Sequence, residues 1–261
     1  MFLEFRMKMG SIVVVLVAII SIGGAAYASH SWGNYHWART ANPFTIKLGD
    51  NVETAWDSYL ATSSADWTQS SVLDTTVVAG NSNARTCRPT NGRVEVCSRA
   101  YGFNGWLGVA SIWVNGNHIT QGTVKVNDSY FNTATYNTPA WRRFVMCQEV
   151  GHTFGLDHQD TDFTNPNLGT CMDYTSNPSG PLSNEHPNTH DYEQLQTIYG
   201  HLDPISTVGQ AISRARGNTN DAAGMEDWGK TLQRDSKGKT ELYERDLGRG
   251  EKQFTFVLWA E

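Results

Sequence analysis

The sequence predicts an α+β fold, and two observations carry that reading. Alternating or β-branched runs recur at 44–48, 72–79, 94–97, 107–114 and 119–126, each short enough for a strand. Two later segments, 138–152 and 188–199, place apolar residues at helical spacing behind residues that cap helices.

The elements follow in chain order. Arg6 and Lys8 precede an apolar run from Ile12 to Ile20, then small residues and Ala26-Tyr27-Ala28. This is the pattern of a signal peptide over 1–28, cleaved after Ala28, and the run is short for a membrane span. The mature chain of about 233 residues suits one domain plus an extension. It is expected to be secreted, off the membrane, and monomeric. Residues 29–42 read as a short N-terminal segment, an unstructured start that holds His30 and His36. Phe44 to Leu48 alternates as a strand. Val52 to Trp67 carries Trp56, Tyr59, Leu60 and Trp67 near helical spacing. Val72 to Ala79, Val94 to Cys97 and Leu107 to Val114 are strands. Asn115-Gly116 turns the chain into Ile119 to Val126, an edge strand over a cleft.

Thr138 can cap the next helix, and Pro139 suits its first turn. Trp141, Phe144, Val145, Gln148 and His152 form one stripe along it. Such a stripe is usually core, but buried Gln and His side chains need partners. A second helix runs from Asn188 to Tyr199 with Tyr192, Leu195, Ile198 and Tyr199. Beyond Asp203 the composition changes. Asn218 to Gly229 reads as a polar linker. Thr240 to Tyr243 and Gln253 to Trp259 can pair as strands around Gly248-Arg249-Gly250.

Net charge is −6 and the basic residues are scattered, which gives no case for nucleic acid. All four cysteines lie after the signal peptide, and an even count in an exported chain favours disulfides. Three pairings are possible. Cys87 and Cys97 flank a turn-rich segment with Asn91-Gly92 at its tip, which reads as a bridged hairpin. Cys147 and Cys171 then pair by elimination. The alternative makes Cys147 a metal ligand, although it points about 100° round the helix from Gln148.

Residues 148 to 158 read Gln-Glu-Val-Gly-His-Thr-Phe-Gly-Leu-Asp-His. This matches the zinc-protease pattern H-E-x-x-H-x-x-G-x-x-H at every fixed position but the first, where Gln148 replaces His. The spacing has a physical reason. Positions 148 and 152 are four apart, so both side chains share one helix face and can grip one ion. Glu149 sits one step round, where it can hold a water and act as general base. Gly155 lets the backbone turn sharply, and the turn returns His158 as a further ligand. Gln148 offers a neutral oxygen at about the reach of an imidazole nitrogen, although zinc prefers His, Cys or carboxylate.

Cys171-Met172-Asp173-Tyr174 adds a methionine turn downstream of the long motif. On these residues the chain resembles the metzincin metalloproteases, the matrixin-like and astacin-like enzymes among them, over roughly 43–203. The resemblance implies a twisted mixed sheet, an active-site helix, a Met-turn and a C-terminal helix. It makes 43–203 the catalytic domain and leaves 204–261 as an extension without an assigned role. It implies a zinc-dependent endopeptidase acting on a protein or peptide substrate, with Gln148, His152 and His158 on the metal and Glu149 as base. Met172 would floor the metal site. Tyr174 stands where some members place a tyrosine on the metal or the developing oxyanion. Backbone from Leu107 to Val126 would hold substrate as an added strand. The rival reading, favoured by Gln148, is an inactive protein of the same fold that binds peptides or proteins.

The other histidines carry less. His118 falls at a strand edge, and His186, His190 and His201 flank the last helix. His186 or His190 would replace the missing ligand only by folding into the cleft. Asp157, Asp160, Asp162 and Asn165 offer the oxygens that Ca2+ takes, at a spacing that completes no known loop pattern.

Overall fold

The computed structural model describes residues 30–209 and 228–261. The segment expected to be a signal peptide, and most of 218–229, expected to be a linker, lie outside the described residues. Within them the chain is mixed α+β. Strand β1 (His36–Trp37) and β2 (Phe44–Asn51) come first. A 3-10 turn over Thr54–Trp56 leads into helix α1 (Asp57–Trp67). Then follow β3 (Leu73–Ala79), β4 (Val94–Arg99), β5 (Trp106–Asn115) and β6 (His118–Asn127). Helices α2 (Asp128–Phe131), α3 (Pro139–His152) and α4 (Thr189–Ile198) precede β7 (Lys230–Arg234), β8 (Thr240–Gly248) and β9 (Glu251–Trp259).

The strands form one sheet in the order β3-β2-β4-β6-β5-β9-β8-β7, with β1 paired to β6. The β2–β3, β2–β4 and β4–β6 pairs are parallel, and the pairs from β6 through β5, β9 and β8 to β7 are antiparallel. Helix α3 packs on α1 and on the β5–β6 hairpin.

Two expectations are corrected here. The Leu107–Val126 hairpin is not the sheet edge. β6 lies between β4 and β5, and β9 takes the outer side of β5 from Trp106 to Asn115. The strand expected at the edge, Ile119–Val126, is interior because β4 pairs with it in parallel, and this leaves the outer side of β5 as the next open edge. Strand β5 is buried from Trp106 to Val114, and an apolar strand of that length left open invites further pairing. Nor is the segment 29–42 unstructured. Trp32 and Trp37 are core residues, and His30 and His36 are buried. Trp37 donates from Nε1 to the Thr153 carbonyl, which ties this segment to the end of α3.

The helix starts follow local chemistry. Thr138 Oγ1 accepts from the Trp141 amide, and Pro139 needs no donor there. Asn188 and Asp191 form a reciprocal capping box at α4. Short α2 and β7 had no sequence expectation, since pieces this small carry too few residues to show a period.

The disulfides are Cys87–Cys97 and Cys147–Cys171. The second ties α3 to the turn holding Met172, so Cys147 is not a free ligand. No helix among the described residues is long and apolar enough to cross a membrane.

Candidate metal centre and active site

The last turn of α3 carries Gln148, Glu149 and His152, all buried. Gly151 on this helix has no room for a side chain. A Cβ would sit 2.6 Å from the Trp67 ring and 2.7 Å from Met172 Sδ. The helix is thus pressed between α1 and the 170–174 turn. Thr170 Oγ1 accepts from the Met172 amide, and the Met172 carbonyl accepts from the Gln159 amide at 2.6 Å. Met172 therefore packs beneath the helix as a floor. Beyond α3 the chain reverses at Gly155, whose φ of +96° suits glycine, and a Cβ there would meet the Tyr35 carbonyl at 2.5 Å. This reversal brings His158 back onto His152.

The two imidazoles meet nitrogen to nitrogen, with Nε2 of His152 and Nε2 of His158 3.0 Å apart. The Leu156 carbonyl accepts from His152 Nδ1–H at 2.9 Å. That bond fixes the tautomer and leaves the Nε2 lone pair facing His158. Burial pushes the His152 pKa down to about 3, with nearby His30 adding to the depression. Burial, then His152 and His30, hold His158 well below its usual range. Both rings are therefore neutral, the form that binds a metal.

Gln148 is turned by its neighbours. Its Nε2 donates to the Cys171 carbonyl at 2.9 Å. Its Oε1 is buried with no hydrogen-bond partner among the described residues. Glu149 points at β5. A Cβ on Gly108 would run into its carboxylate, so glycine is needed there. The Ala110 amide is turned toward the group, yet neither oxygen completes a hydrogen bond of normal geometry. Burial raises its pKa well above the usual carboxylate value, which favours its neutral form. Tyr174 lies between the His158 and Phe163 rings, at 4.3 and 4.7 Å. Burial, then the Glu241 charge, hold its hydroxyl protonated.

Several contributors were not foreseen. Glu241 of β8 brings Oε2 to 3.7 Å from His158 Nδ1, and burial raises its pKa to about 8. Phe256 of β9 stacks on His152. His30 lies beside the pair, with Nε2 3.0 Å from Asp191 Oδ1. No local signal marks these residues, because distant strand pairing delivers them. Strands β8 and β9 together close the site from solvent.

Other candidates are corrected. His186 contacts Asp66 and His190 packs against His30, so neither joins the pair. The acidic group does not converge as a Ca2+ site. Asp157 accepts from its neighbouring amide and from Gln233, Asp160 from the Asp162 amide and Asn165, and Asp162 from Thr164. These are local turn bonds that Asp and Asn favour.

The residues fit a zinc ion. Two neutral imidazoles converge, and an orphaned neutral oxygen stands one helical turn before the first. Such a donor set leaves at least one tetrahedral position for water.

No protein-family model and no curated protein matches the chain. Among solved structures, the GM1-bound form of the ECX AB5 holotoxin is similar, with 13% identity and a TM-score of 0.38 over 65% of this chain and 91% of that one. High choriolytic enzyme 1, a hatching-enzyme zinc protease from Oryzias latipes (medaka fish), shows 9% identity and a TM-score of 0.34 over 63% and 94%. Myroilysin shows 13% and 0.34 over 62% and 82%. These likenesses are too distant to assign a family.

Proposed function

We propose that the chain is a secreted zinc-dependent endopeptidase of metzincin type whose site is closed by its own C-terminal strands. The observation that carries this is the 3.0 Å approach of the His152 and His158 Nε2 atoms, on a helix whose buried Glu149 carboxylate completes no hydrogen bond. His152, His158 and Gln148 Oε1 would hold the ion. Bound zinc would supply Lewis acidity toward a scissile carbonyl and toward water.

The chain's own residues then have distinct tasks. Leu156 holds the His152 ring with its Nε2 lone pair inward. The Cys171 carbonyl holds Gln148 by its Nε2 and leaves Oε1 as the uncommitted donor. Glu149 is the group placed to take a proton from water and pass it to a leaving amine. Its protonated state belongs to the closed, uncharged site, and a nearby positive charge would bring its pKa down. Tyr174 offers an O–H donor beside His158 for an oxyanion. Substrate access requires β9 to leave β5, because β9 occupies the strand edge that a peptide would use.

Zinc-loaded protein incubated with unfolded casein tests the reading. Cleavage by the native chain and its loss in Glu149→Ala support it, and equal cleavage by both rejects it.

A second reading is a peptide- or protein-binding protein without catalysis. Gln148 favours it, since its Nε2 bond to Cys171 gives the side chain a structural role that needs no metal. Retention of peptide binding with no zinc after dialysis would decide for it.

A further inference from the structure

A second histidine pair, His36 of β1 and His201 after α4, meets nitrogen to nitrogen. His36 Nε2 and His201 Nε2 are 3.1 Å apart. Asp203 Oδ1 lies 3.4 Å from the first and 3.7 Å from the second. All three donor atoms lie within 4.8 Å of one another, and among the described residues no other group of His, Cys, Asp and Glu does so. We propose that His36, His201 and Asp203 bind a divalent transition-metal ion, zinc by the chemistry of the donors, at a structural site separate from the motif histidines.

Each donor is oriented by a partner. His36 donates from Nδ1 to the Asn34 carbonyl at 2.7 Å, which leaves its Nε2 lone pair facing His201. Arg39 takes the other oxygen of Asp203. Its Nη1 lies 2.8 Å from Oδ2 and its backbone amide 3.2 Å from the same atom. Oδ1 is therefore left toward the histidines. Hydrogen-bonded carboxylates and imidazoles of this kind are the outer support that metal ligands have.

His201 and Asp203 are two apart in the chain leaving α4, and their donor atoms lie 3.7 Å apart. Leu202 between them points to solvent and is 57% exposed. Two facing lone pairs repel unless a proton or a cation lies between them. With an anionic oxygen completing the triangle, a divalent cation satisfies all three atoms. Two imidazoles and a carboxylate are donors zinc accepts, with a position left for water. His36 and His201 also border a cavity of about 380 Å³ with Asn34, Tyr35, Asn117 and Ile198, which has room for that water. His118 Nε2 is 3.3 Å from Asp203 Oδ1 but stands outside the three-atom group.

Such an ion would clamp the segment before β2 to the chain leaving α4. The two are already joined by the Asp203 amide donating to the Arg39 carbonyl and by Thr207 donating to the Ala38 carbonyl.

The test uses the mature chain dialysed against zinc, with bound metal measured by elemental analysis and Co2+ substitution read in the visible spectrum. The double variant His152→Ala/His158→Ala removes the motif site and should keep one ion. Adding His201→Ala to it should weaken the remaining ion by more than about tenfold. Half of the His201 side chain is in solvent, so this change leaves the core intact. Asp203→Asn in the same background is the second variant and should weaken the ion likewise. A motif-less protein that binds no zinc, or one whose zinc is unmoved by both substitutions, overturns the proposal. If the native chain holds a single ion, its loss in His201→Ala alone supports this site and places the failure with the motif histidines.

Discussion

Phe256 lies flat on His152, the ring centroids 4.1 Å apart and the planes 6° from parallel. A residue of β9 thus covers the imidazole ring of the motif helix. Phe254 and Phe256 also pack against Trp32 from the N-terminal segment. The two ends of the described chain therefore meet above the site.

The first prediction concerns that stack. Phe256→Leu keeps an apolar side chain but removes the ring face. It should lower stability by about 1–2 kcal/mol in urea unfolding. It should also speed zinc uptake, followed with a chromogenic chelator. An unchanged uptake rate would mean that the ring does not gate the site.

Gly108 sets the place of Glu149. Gly108→Ala puts a methyl group where the carboxylate lies. Zinc binding should survive, since the histidines are untouched, while casein cleavage falls by at least about tenfold. Parallel loss of metal would show that the helix itself had moved.

Gln148 should rank between its two replacements. Gln148→His restores a stronger donor at the same reach, and Gln148→Ala removes the oxygen. Zinc affinity by competition dialysis should fall in the order His, Gln, Ala. Equal affinity for Gln and Ala would make Gln148 a bystander held by Cys171.

How much of this was legible in the sequence can be argued residue by residue. The strands from Phe44 to Val126 carry their own period, and α3 and α4 carry their own caps. The site spacing is legible because one helix and one glycine turn build most of it. Glu241, Phe256 and His30 were not legible. Each lies more than eighty positions from His152 in the chain and reaches the site through long-range pairing or packing. The sheet edge was misassigned for the same reason. Whether β6 ends a sheet depends on its parallel partner β4 and not on β6 itself.

Asp173 gives a pH test away from the metal ligands. Burial raises its pKa to about 6, against the hydrogen bonds from the Leu168 amide and Asn184 that lower it. An acid with a raised folded pKa binds more protons folded than unfolded, so its contribution to stability falls as pH rises from its ordinary value through about 6. Asp173→Asn should remove that part of the slope. Unfolding in urea between pH 4 and 6.5 checks it, and identical slopes would reject the assignment.

The most direct measurement is hydrolysis of a quenched fluorescent peptide by zinc-saturated Phe256→Leu protein, with and without Glu149→Ala, with bound zinc measured in each sample. The opened variant should cleave faster than the native chain, and adding Glu149→Ala should reduce the rate by about 100-fold or more. Zinc-bound Phe256→Leu protein that cleaves nothing, or cleavage that persists without Glu149, would contradict the account.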